Sequence, residues 1–126
     1  MSLVTDTKAG FAAPTEALSD WGFRAGAEAE GTCKIGGKIM SAANGVKSGL
    51  WECTPGTFTV AERPNVESIT ILSGVVRLTD LGTGVATVLT AGDSAVLELG
   101  SSVKWEVLET VRKFFVIAPQ AMTDIQ

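Results

Sequence analysis

The chain has 126 residues, 45% of them apolar and 19% charged, with 14 glycines and a net charge of -4. That length suits one domain, and the low charge excludes a disordered chain, since disordered segments are polar and highly charged. Ten basic residues against fourteen acidic ones leave no electrostatic footprint for nucleic acid. The absence of any histidine excludes Ser-His-Asp and Cys-His catalysis, HExxH metalloproteases, zinc deaminases and every imidazole metal ligand.

No apolar run approaches the roughly 18 residues that a membrane helix needs, so no membrane partner is expected. Asp6 and Lys8 interrupt any signal-peptide core near the N-terminus, which makes a cytoplasmic location the expectation. Cys33 and Cys53 stand twenty positions apart and make no CxxC pair, so they read as two small buried hydrophobes.

Residues 1–30, with Gly10, Pro14, Gly22 and Gly26, carry no sustained periodicity and read as an arm lying over a single domain of residues 31–126. From about residue 32 the pattern is short strands broken by glycine. Ser68 to Leu72 alternates with period two, and Ser73-Gly74 is expected to turn the chain into Val75 to Thr79. Further strands are expected over Val85 to Leu89, Ala95 to Leu97, Val103 to Leu108 and Val111 to Ile117, with Gly82, Gly84, Gly92 and Gly100 at the reversals. Turn signals every eight to ten residues, with no long helical segment, indicate an all-β sandwich or barrel.

Gly56 is followed by Glu62, Glu67 and Gly74, and Gly92-Asp93 by Glu98-Leu99-Gly100. These spacings resemble the two cupin motifs, GxxxxxHxHxxxExxxxxxG and GxxxxxPxGxxH. The run Gly49 to Phe58, Ile71 to Gly74, Trp105 to Val107 and Arg112 to Phe114 resembles the small cupins grouped with the ureidoglycine aminohydrolase domain. The resemblance covers about residues 47 to 117 and implies a cupin-type jelly-roll barrel, a ligand site inside it, and a homodimer. It departs at the metal ligands. The two histidine positions of the first motif hold Glu62 and Pro64, the third ligand is kept as Glu67 in a segment one residue shorter, and the last histidine position holds Val103. A transition-metal site on nitrogen ligands is therefore not expected; a weak oxygen-ligated divalent ion on the two carboxylates stays open.

Strand alternation from these positions puts Phe58, Val60, Glu62, Glu67, Ile69, Ile71, Val103, Trp105 and Val107 inside the barrel. Glu67, with Glu62 beside it, is the candidate acid or base. Phe58, Val60, Ile69, Ile71, Arg77, Val103 and Trp105 are the candidate ligand-binding residues. Each has a plainer reading: Glu67 in an ion pair with Arg63 or Arg77, Glu62 on an exposed loop, Trp51 and Trp105 as core, Trp21 as a plug at the barrel mouth or at a dimer contact. One of Arg112 and Lys113 should face solvent; Glu52, Glu98, Lys104 and Glu106 fall on the outward phase or on turns. The chain thus reads as a metal-free cupin binding a small organic molecule as a homodimer. The alternatives are an enzyme acting through carboxylates on a ureide-, amidine- or sugar-like metabolite, and a structural or regulatory dimer with a filled barrel.

Overall fold

A computed structural model describes residues 15–119; Gly10, Pro14 and the rest of the first fourteen residues lie outside them. Eight strands follow in order: β1 (Ser19–Phe23), β2 (Lys34–Ala43), β3 (Val46–Cys53), β4 (Gly56–Val60), β5 (Val66–Asp80), β6 (Ala86–Leu89), β7 (Ser94–Leu97) and β8 (Val103–Ala118). All pairings are antiparallel, and no helix occurs among the described residues. Residues 19–23, part of the expected arm, are a strand on the edge of β2.

Two long strands organise everything else. β5 and β8 run 15 and 16 residues, far beyond the usual ~5–6, and pair along their whole lengths. The first half of β5 and the second half of β8 carry β7 and β3, so one half-sheet runs β1-β2-β3-β8-β5-β7. Their other halves carry β6 and β4, forming the second half-sheet. The ladder shifts register between Ile71 and Val76. There the two strands bend, and the half-sheets fold over one core in a cupin-type barrel.

This bend corrects the expectation of a turn at Ser73-Gly74, and with it the reading of Val103 to Leu108 and Val111 to Ile117 as separate strands. Gly74 has φ +86, and a Cβ there would lie 2.0 Å from the Thr110 carbonyl oxygen on the partner strand. A glycine inside a strand pattern serves here as a bulge, where the backbones approach too closely for any side chain.

The core follows the expected alternation. Phe58, Ile69, Ile71, Val76, Leu78, Val103, Trp105, Val107, Val111 and Phe115 are buried together with Cys33 and Cys53. Both cysteines are free, and the Cys53 thiol is pushed up to about 12, first by burial and then by Cys33 beside it. Cys53 is thus held as a neutral thiol. No helix among the described residues is long and apolar enough to cross a membrane.

Candidate functional site

The inward phase of β8 runs Val111, Lys113, Phe115, Ile117, so one ammonium enters an otherwise apolar face. Lys113 lies opposite Trp51 on β3 and Ile71 on β5. Its Nζ donates to Glu67 Oε2 at 2.6 Å, reaching along the barrel to the start of β5. The other carboxylate oxygen, Oε1, accepts from Arg63 Nη2 at 2.7 Å. All three side chains are buried, at 5%, 4% and 6% exposure for Lys113, Glu67 and Arg63.

Arg63 sits in the loop between β4 and β5, and the backbone sets its place. Arg63 N–H donates to the Ser101 carbonyl at 2.9 Å, and Gly100 N–H donates to the Arg63 carbonyl at 2.8 Å. Asn65 Oδ1 also accepts from Arg63 Nη2, at 3.3 Å.

Aromatic rings enclose the ammonium. Lys113 Nζ lies 4.4 Å from the ring centres of both Trp51 and Trp105, and 5.8 Å from that of Phe115. Phe58, opposite Trp105 in the β4–β8 ladder, stacks on it at 5.5 Å, and Trp51 meets both edge-on. The Arg24 guanidinium lies 4.7 Å over Phe58. Burial pushes the Lys113 ammonium below the usual lysine range, while Glu67 acts in the opposite direction. The ring faces and the carboxylate together compensate part of the lost hydration.

These groups line a cavity of about 240 Å³. Its buried walls are Phe58, Trp105, Phe115, Arg63, Glu67 and Lys113; the solvent side is formed by the exposed Trp21, Ile39 and Lys47, with Arg24 between. Trp21 closes over β2 because Gly37 leaves it room: a Cβ at Gly37 would fall 2.2 Å from the indole ring. Of the candidate residues, Phe58, Val60, Glu67 and Trp105 meet at this cavity. Ile69, Ile71 and Val103 are buried in the core behind it and do not line it. Arg77 corrects the sequence reading: it lies on the outer face, 3.4 Å from Glu106, with its side chain 42% exposed. Glu62 is exposed, with φ +45 and its N–H donating to Ser102 Oγ at 3.0 Å, so the two carboxylates share no site.

Of the Arg112-Lys113 pair, Lys113 is the member that turns inward. Its signal in the sequence is the single cation in the alternation Val111, Phe115, Ile117. Arg112, on the opposite face, is held by Glu52 at 2.7 Å and by the Glu16 carbonyl at 2.6 Å, so Glu52 is a partner and not a solvated charge. Arg24 and Lys47 had no sequence signal, because their loop and strand end join the cavity only through tertiary folding.

The donor set does not suit a metal ion. Both oxygens of Glu67 are engaged by cations, and Pro64 and Val103 offer no donor side chain. Among the described residues, no group of three His, Cys, Asp or Glu side chains stands together.

An antiparallel barrel of two half-sheets hung on two long shared strands, with a cavity inside, defines a cupin. The chain belongs to the EutQ-like cupin domain family, whose model matches residues 40–115. No curated protein matches the chain. Among solved structures it is similar to the Clostridium difficile EutQ protein, with a TM-score of 0.70 at 16% identity over 84% of this chain and 82% of that one. A DUF861-family protein of unknown function from Pseudomonas syringae pv. tomato gives 0.68 at 18% identity, over 83% of this chain and 46% of that one. Ectoine synthase from P. lautus gives 0.62 at 17% identity, over 71% and 67%. At these identities the likeness is one of fold. The resemblance to small cupins holds, and the family model that matches is the EutQ-like cupin domain.

Proposed function

We propose that this chain is a small-molecule-binding cupin that works without a transition metal, as a homodimer in a reducing compartment such as the cytoplasm. The observation that carries this reading is the Lys113 ammonium, which sits on Glu67 inside the barrel. A carboxylate at a cupin ligand position needs a cation, and here the fold supplies its own. The rest of the cavity has the profile of a ligand site: apolar and aromatic walls with a few convergent polar groups. Exposed apolar side chains, Val88 at 47% on β6, Val96 at 56% on β7 and Leu108 at 45% in the middle of β8, together with edge strands at both ends of each half-sheet, support a second copy as partner. The buried free cysteines accord with a reducing compartment.

Native mass spectrometry of the purified, dialysed protein reads all of this at once. The expected species is a dimer without bound transition metal that takes up one molecule per chain from a panel of small acids, amides and amines. A protein that takes up none overturns the ligand reading. A stoichiometric zinc, manganese, iron or nickel ion overturns the metal-free reading, and a monomer at tens of micromolar overturns the dimer.

A further inference from the structure

Glu67 and a ring of aromatic faces are the elements of a site for an organic cation. In this molecule that seat is filled by Lys113 itself, whose Nζ is 2.6 Å from Glu67 and 4.4 Å from two indole rings. The charge that remains is positive. Four cationic side chains, Arg24, Lys47, Arg63 and Lys113, stand on the cavity against the single carboxylate of Glu67, in a chain whose net charge is -4. A positive concavity in an acidic protein focuses its field on the cavity and attracts anions there.

The hydrogen-bonding groups point the same way. Trp105 Nε1 and Arg63 Nε are buried without a hydrogen-bond partner among the described residues, and both side chains line the cavity. Each is a donor with no acceptor capacity, and a buried donor without a partner carries an unrecovered desolvation penalty. Such groups call for an acceptor, and an anionic one makes the strongest bond. The rings of Trp51, Phe58 and Trp105, packed on one another, form an apolar wall of the same cavity.

Resting on the reading of the cavity as a ligand site, we infer that its occupant is a compact organic carboxylate with a planar apolar body. The carboxylate lies toward Arg24, Arg63 and the Trp105 indole N–H, and the body lies on the aromatic walls. The ion-paired Lys113 and Glu67 hold the walls apart and exclude amines.

Benzoate, benzamide and benzylamine have nearly the same shape and differ in charge, so they separate the possibilities. Titration of each into the full-length protein is followed by tryptophan fluorescence, with calorimetry as a second readout. Benzoate is expected to bind saturably and at least about tenfold tighter than the other two, as one charge-assisted contact provides. Arg24→Met, at a partly exposed position outside the buried pair, is expected to reduce that preference severalfold without lowering the melting temperature. Equal binding of benzoate and benzamide, or tighter binding of benzylamine, overturns the carboxylate inference and leaves the ligand site standing. Binding of none of the three overturns the inference of a planar carboxylate, and the ligand reading is then decided separately by the uptake panel in native mass spectrometry.

Discussion

Glu67→Gln is expected to cost the fold about 3–5 kcal/mol, because it leaves two buried cations without their shared anion. Glutamine keeps the volume and a carbonyl oxygen, so the loss reports charge and not packing. For a domain of this size the melting temperature falls by about 9–25 degrees, at roughly 3–5 °C per kcal/mol. Lys113 has the most to lose. Its pKa is already lowered by burial, and Glu67 is the first group acting to raise it. Without that carboxylate the folded pKa drops further below the ordinary lysine value of 10.5. A basic group with a depressed folded pKa disfavours the fold at every pH below that value. Stability then recovers as pH rises through the lowered folded pKa toward the unfolded one, since the unfolded chain binds more protons in that window. The deficit of Glu67→Gln is therefore expected to be largest near neutral pH and to shrink toward pH 10. Thermal melts of both proteins at several pH values check this, and a small deficit with no pH trend would refute the buried-pair account. The double variant Glu67→Gln with Lys113→Met removes one buried charge along with the anion, and is expected to recover part of the loss.

Gly74→Ala is expected to be comparably damaging, by a different route. The residue has φ +86, which costs a side chain about 1–3 kcal/mol before any contact is counted. The added Cβ would also lie 2.0 Å from the Thr110 carbonyl oxygen and 2.7 Å from Val111 Cα, both backbone atoms of β8. No rotamer change relieves a clash between two backbones, so β5 and β8 must part at the bulge. The expected loss is about 2–6 kcal/mol, the sum of the strain and of an overpacked core position. Because this bend brings the two half-sheets together, hydrogen exchange should show protection falling at both ends of β5. A variant as stable as the parent protein would mean that the bulge carries no such constraint. Gly84→Ala makes the control: its φ is +77, yet nothing lies within 4 Å of the added Cβ. It should cost the conformational strain alone.

Much of the interior was legible in strand alternation, because period two is a local property that survives folding. Phe58, Ile69, Ile71, Val103, Trp105 and Val107 are buried as their phase requires. Glu67 could be placed inside for the same reason, and its inward direction follows from its neighbours Ile69 and Ile71. What alternation does not carry is the sense of a break. Ser73-Gly74 reads equally as a hairpin turn and as a bulge, since both need a glycine with positive φ. Only the pairing of β5 with β8 along its full length makes it a bulge.

The partners of Glu67 divide along the same line. Arg63 lies four residues away, within reach of a local reading; Lys113 lies 46 residues away and joins it because β8 runs antiparallel beside β5. Arg77 was a candidate by charge, yet the register shifts between Ile71 and Val76 put it in the outward phase, facing Glu106. The sequence by itself determined the class of fold, most of the apolar inward residues and the loss of the histidine ligands, all set by residue type and local spacing. The tertiary structure alone decided which cation answers the buried carboxylate and which charges face the cavity. Ion pairing across a barrel depends on long-range strand register, and no local pattern encodes it.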